Sequence, residues 1–182
     1  EDVFIRDRGA GTTALLSKFS NGTPFTTSSD QASISPNARY VVFRSFQTGA
    51  GIGSSRIFLR DRQLGTTSNI ATPPTATVCE EPHVSDDADI VMQCSSSLGG
   101  VQQQAWFRRG SDGATFRLSS TPMLADGNGG AGNLTDLSDN GDVVAFDSEA
   151  SNLDPGDGNS ASDVFVAIDD VVLNAIFGDG FE

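Results

Sequence analysis

Apolar residues in this chain gather in short runs and do not follow the three-and-four spacing of a helix face. Examples are Val3-Phe4-Ile5, Val41-Val42-Phe43, Ile57-Phe58-Leu59, Ile90-Val91-Met92 and Val143-Val144-Ala145-Phe146. Gly, Asn, Asp, Ser or Pro bounds them, and short apolar runs between turn residues predict strands covered on both faces.

The runs recur. Val3-Phe4-Ile5-Arg6-Asp7 is echoed by Ile57-Phe58-Leu59-Arg60-Asp61, more weakly by Ala105-Trp106-Phe107-Arg108-Arg109, and again by Val164-Phe165-Val166. A glycine follows each of the first three arginines by five residues (Gly11, Gly65, Gly113), and a threonine-containing segment comes next. Strand, glycine turn, strand is a hairpin. A second hairpin has its own landmarks. Ser35-Pro36-Asn37-Ala38, Ser85-Asp86-Asp87-Ala88 and Ser138-Asp139-Asn140-Gly141 each precede an apolar strand that closes on a serine: Ser45, Ser95 and Ser148. These tetrads suit a type I turn closing through a left-handed residue, with Ala38 and Ala88 in the place of a glycine, at some cost in stability.

Each unit is therefore four strands in about 50 residues, a period that marks repeat architectures. One such sheet cannot bury both its faces, and sheets packed face to face around an axis can. The expected fold is all-β: about three and a half four-stranded antiparallel β-propeller blades. A β-sandwich would not predict a sequence repeat. The motifs Asp2-Val3-Phe4-Ile5-Arg6-Asp7-Arg8 with Gly11-Thr12-Thr13, and Ser35-Pro36-Asn37-Ala38 running into Arg39-Tyr40-Val41-Val42-Phe43-Arg44-Ser45, resemble the WD40-like repeats of TolB-type propellers. The stretch Ser148 to Asn159 with Asp163-Val164-Phe165-Val166 is similar to a bacterial subgroup of that family. The resemblance covers roughly residues 1–170 and departs in the third copy at Gln93, Cys94 and Arg109.

The phase of the repeat predicts a half blade at 1–20, blades at about 30–75, 80–120 and 133–174, and a C-terminal tail at 175–182. Val171-Val172-Leu173 is the expected last strand. The half blade supplies third and fourth strands only, so the expectation is an open arc from a longer propeller. Residues 2–8 would then form an unpaired edge available for strand association.

Composition agrees with many short strands: 20 glycines among 182 residues, 37% apolar and 19% charged. No apolar run reaches the roughly 20 residues of a membrane-spanning helix, so no membrane insertion is expected. The net charge of −13 has the wrong sign for nucleic acid or anionic membranes and keeps a secreted protein soluble.

Candidate chemistry is sparse. Cys79 and Cys94 lie symmetrically about the Asp86-Asp87 turn and face one another within one residue of register. A disulfide is expected there, with two free buried thiols as the alternative; a disulfide would place the chain in the periplasm or outside the cell. His83, the sole histidine, is expected to be structural or channel-facing, since no nucleophile-elbow motif accompanies it. Asp154, Asp157, Asn159 and Asp163 form the best Ca²⁺ candidate, but Ala161 stands where the loop needs an oxygen and the closing Glu is missing, so a self-bonded turn competes with it. Arg6, Arg60 and Arg108 are expected to pair with aspartates between blades, Trp106 to lie in the core, and Gly127 to Gly132 to form a loop.

No catalytic residue set is visible. The resemblance implies a non-catalytic binding or scaffold module of a secreted or periplasmic bacterial protein, contacting a protein, peptide or glycan through its loops and channel mouth. The alternative is a propeller domain of a larger hydrolase, a peptidase or glycan-active enzyme whose catalytic part lies outside this chain.

Overall fold

The computed structural model describes residues 1–47, 55–73, 76, 78–95, 103–121, 125–159 and 161–168. Thirteen strands are present among them, and no helix. The first sheet pairs β1 (Phe4–Asp7) with β2 (Thr12–Leu15). The second runs β3 (Ser29–Ile34), β4 (Tyr40–Ser45), β5 (Arg56–Asp61), β6 (Thr66–Ile70). The third runs β7 (Val78–Val84), β8 (Ile90–Ser95), β9 (Gln104–Arg108), β10 (Thr115–Arg117). The fourth holds β11 (Ala131–Leu137), β12 (Val143–Ser148) and β13 (Asp163–Ile168). Every pairing is between sequence neighbours and antiparallel. The segment 171–173 and the tail 175–182 lie outside the described residues.

Alternation along each strand assigns the two faces of each sheet to different neighbours. Val41, Phe43 and Phe58 point to the first sheet and bury Val3, Leu16 and Phe25. Val42, Ile57 and Ile70 point the other way and meet Cys79, Ile90, Met92 and Trp106 of the third sheet. The far face of that sheet, through Val91, Phe107 and Ala105, packs on Val144, Ala131 and Phe146 of the fourth. Unbroken apolar runs arise because both faces of a sheet are covered. Phe43 is fully buried, with the rings of Phe25 and Phe58 about it at 6.0 and 5.9 Å. Trp106 lies in the core as its place in the repeat implies, capped by the Arg117 guanidinium 4.8 Å above its ring.

The turns follow the repeat. Ala38, Ala88 and Gly141 take φ of 59°, 66° and 79°, and each donates its N–H to the serine three residues back, at 2.7, 3.3 and 2.9 Å. Gly11, Gly65 and Gly113 also have positive φ. The loop over Gly127–Gly130 sits tight against the chain after β12: a β-carbon on Gly129 would lie 2.3 Å from the Glu149 backbone.

One expectation is corrected. Arg6 and Arg60 do not pair with aspartates of a neighbouring sheet; among the described residues neither forms an ion pair. Each donates through Nη1 to a threonine hydroxyl at 2.9 Å, Arg6 to Thr13 and Arg60 to Thr67. The reason is register: these threonines stand directly across the hairpin from the arginines. The ion pairs fall elsewhere, as Arg39 with Asp61 and Arg44 with Asp30 and Glu80.

Candidate functional site

Of the first strands of the last three sheets, β7 touches both β3 and β11, so the sheets converge there and the polar groups of that edge are brought together. Each of these strands is bulged, between Asp30 and Ser33, Glu80 and His83, and Ala131 and Thr135. A bulge re-aims side chains and frees backbone groups. Gln31 and Glu81 occupy the first two bulges, both at φ 48°. They bond reciprocally: Gln31 Nε2 donates to Glu81 Oε1 at 2.7 Å, and the Glu81 N–H donates to Gln31 Oε1 at 3.1 Å.

Alongside them Arg44 makes a fork to Asp30, with two contacts of 2.7 Å, and reaches Glu80 at 2.6 Å. Gln103 adds a donor to Glu80 at 3.4 Å. The Arg44 hydrogen bonds hold the Asp30 carboxyl below the usual carboxylate range, and Asp30 in turn holds the guanidinium above its own. Farther along, His83 Nδ1 lies 3.6 Å from Asp136 Oδ1. His83 and Asp136 border an open pocket with Thr135, Phe146 and Asp147. The Thr135 hydroxyl is buried and has no partner among the described residues. The edge is thus a polar, mainly acidic strip crossed by one guanidinium. It offers acceptors to a ligand's amines, hydroxyls or backbone N–H groups.

His83 stands on this strip, half-exposed. No hydroxyl or thiol among the described residues donates to it, so the arrangement lacks the nucleophile–base contact of a hydrolytic triad. Gln31, Glu80, Glu81 and Arg44 were not singled out from the sequence. Their signal was available: Gln31 and Glu81 are 50 residues apart, the same spacing as the turn serines Ser35 and Ser85.

The other sequence candidates lie away from the strip. Cys79 and Cys94 are directly opposed on β7 and β8 and form a disulfide, α-carbons 4.2 Å apart. An oxidising compartment sustains such a bond. Asp154, Asp157, Asn159 and Asp163 share an open pocket before β13. Asp154 Oδ1 accepts the Gly156 N–H at 2.7 Å, Asp157 Oδ1 that of Asn159 at 3.3 Å, and Asn159 Oδ1 that of Ala161 at 2.7 Å. These are the bonds of a self-supporting Asx-rich loop. Among the described residues no three His, Cys, Asp or Glu side chains come together as metal ligands.

No family model matches the chain, and no curated protein matches it. Solved structures do. TolB from Acinetobacter baumannii superposes with a TM-score of 0.50 at 17% identity over 92% of this chain and 35% of its own. A putative TolB from Agrobacterium tumefaciens gives 0.55 at 20% identity, over 93% and 53%. A structure from a study of two prolyl endopeptidases gives 0.54 at 14% identity, over 92% and 24%. The chain thus spans about a third to a half of the length of the two TolB structures. At these identities the likeness is one of fold, and the fold of this chain is that of β-propeller blades, a two-stranded first sheet and three further sheets stacked in sequence order.

Proposed function

We propose that this chain is a non-catalytic binding module of a secreted or periplasmic bacterial protein, holding a protein, peptide or glycan at the converging edge of its blades. The observation that carries the reading is the polar strip on β3, β7 and β11. Asp30, Gln31, Glu80, Glu81, His83 and Asp136 cluster there on adjoining strands. Asp30, Gln31, Glu80 and Glu81 are held by one another and by Arg44, so this part of the strip is ordered before any ligand arrives, which lowers the entropy cost of binding. The excess of carboxylates and the net charge of −13 favour a ligand that brings cationic or donor groups. The Cys79–Cys94 bond supports the secreted or periplasmic setting.

A second reading has one specific support. The likeness extends to a prolyl endopeptidase structure, so the chain would serve equally as the propeller portion of a larger hydrolase whose chemistry lies outside it.

The test is a binding screen of the 182-residue chain against arrays of peptides, glycans and candidate proteins, repeated with Glu80→Lys/Glu81→Lys. Ligands lost in the double variant, with its melting temperature kept, support the strip as the site. Hits that survive the charge reversal unchanged would sink it. Peptide or glycoside hydrolysis by the purified chain, abolished by His83→Ala, would replace the non-catalytic reading with the enzymatic one.

A further inference from the structure

Ala167 stands where each earlier sheet carries an arginine. The turn serines set the register. The N–H groups of Ser35, Ser85 and Ser138 donate to the carbonyls of Tyr40, Asp89 and Val143. The next residues are Val41, Ile90 and Val144, and across from them stand Arg60, Arg108 and Ala167. Arg60 is 9% exposed, so this place lies inside the stack and a long side chain fills it. Ala167 ends at its β-carbon. An open cavity of about 230 Å³ lies there between the third and fourth sheets, with Val144 and Ala167 on one wall. Both sheets around it are present, so the space comes from a side chain shortened within the stack.

The facing wall has changed with it. Phe107 on β9, Phe116 on β10 and Leu118 just after it form that wall, the two phenylalanine rings 6.5 Å apart. The pairs Leu59–Ser68 and Phe107–Phe116 hold the same places in the second and third sheets. Arg109 follows Arg108 and lines the cavity, whereas Asp61 follows Arg60. So the sheet before Arg108 presents an aspartate and a serine, and the sheet before Ala167 presents an arginine and a phenylalanine. Phe116 is 42% exposed, with the Arg109 guanidinium 4.9 Å from its ring centre. Asp142 brings a carboxylate to the same cavity. Arg109 meets Asp112 at 3.2 Å, and Asp142 accepts the Asn140 side-chain amide, both in exposed contacts. A guanidinium has several donors and a carboxylate several acceptor sites, so each can serve a second partner. The cavity is smaller than the roughly 300–1,000 Å³ of sites for drug-sized ligands.

We propose that this cavity is a binding site for a free aromatic α-amino acid. The ring lies against Phe107, Phe116 and Leu118, in the space that the arginine of the repeat leaves. The Arg109 guanidinium donates to the ligand carboxylate, and the ligand ammonium donates to Asp142. A simple cation or anion meets a like charge at this mouth, and an uncharged apolar molecule leaves both charges unused. A zwitterion with an apolar body answers both charges and the walls. The site is built on β9, β10, β12 and β13 and does not rest on the polar strip of the first strands.

The test is calorimetric titration of the 182-residue chain with L-phenylalanine, L-tyrosine and L-tryptophan. Saturable binding is expected, with a dissociation constant on the order of 0.1–1 mM for so small a ligand. Phenethylamine lacks the carboxylate and 3-phenylpropanoate lacks the ammonium, and each should bind about tenfold more weakly than L-phenylalanine. Arg109→Gln should weaken L-phenylalanine and 3-phenylpropanoate and leave phenethylamine unchanged. Asp142→Asn should weaken L-phenylalanine and phenethylamine and leave 3-phenylpropanoate unchanged. Ala167→Arg returns the side chain of the repeat to its place and should abolish binding, with the melting temperature kept or raised. If Ala167→Arg does not fold, the crossed pattern of the two charge variants decides alone. No saturable binding of any of the three amino acids at about 10 mM, well above the expected constant, overturns the proposal. So does binding that Arg109→Gln and Asp142→Asn leave unchanged, or that survives in a folded Ala167→Arg, since the ligand then sits elsewhere.

Discussion

The tightest test of the repeat as a physical object is the left-handed turn position, which holds alanine twice and glycine once. Ala38 sits at φ 59°, where an L-residue carries a penalty of roughly 1–2 kcal/mol. Ala38→Gly removes that penalty and adds unfolded-chain entropy worth about 0.5–1 kcal/mol. The net expectation is a gain of about 0.5 kcal/mol. At Gly141, φ is 79°, and a β-carbon would lie 2.2 Å from Asp89 Oδ2 and 2.9 Å from its Cβ. Asp89 cannot easily give way. It is buried, and it accepts the Gly110 N–H at 2.7 Å and the Ser85 hydroxyl at 3.0 Å. Gly141→Ala therefore incurs the left-handed penalty plus an overpacking cost of about 1–3 kcal/mol, in total about 3 kcal/mol. For a domain of this size that corresponds to a fall in melting temperature of roughly 10 °C. Urea titration followed by Trp106 fluorescence measures both, with the slope of the transition unchanged if only the native state is affected. A neutral Gly141→Ala would refute the clash with Asp89, and an Ala38→Gly that loses about 1 kcal/mol or more would refute the left-handed penalty at Ala38.

Three further outcomes are expected. The Cys79–Cys94 bond closes a separation of 15 residues; replacing both cysteines by alanine should lower stability by about 3 kcal/mol, seen in the urea midpoint, with reductant making no further difference to the variant. Phe43→Ala, at a fully buried ring between two others, should lose about 3–5 kcal/mol, and calorimetry showing a loss under 1 kcal/mol would deny the ring its place in the core. The carboxyls of Asp30 and Asp61 are held low, chiefly by hydrogen bonds from Arg44 and Arg39 respectively. Their stabilisation is complete above the unfolded value of about 3.9 and is lost as pH falls through the lower folded value. Melting temperature should therefore be flat in this respect from pH 7 to 5 and decline below about pH 4, with a shallower decline in Asp30→Asn.

The repeat, its two-hairpin phase, the left-handed turn places and the opposed cysteines could all be read from the chain, because each depends on residues close in sequence. Strand periodicity, turn chemistry and cross-hairpin register are local, and a 50-residue recurrence needs nothing beyond self-comparison. The arginines show where local reading stopped short. Arg6 and Arg60 found threonines across their own hairpins, a partner that register alone would have named, but charge had suggested aspartates from a neighbouring sheet. The Asp154–Asp163 loop had two local readings, and only its geometry shows the side chains bonded to their own backbone. The polar strip was beyond local reading altogether. Gln31 meets Glu81, and Asp30, Arg44 and Glu80 join, because one sheet packs on the next with their first strands converging; such contacts depend on the stacking angle and on bulges that re-aim single side chains. Sequence thus determined what each blade is, and the stacking of blades decided which polar residues face one another.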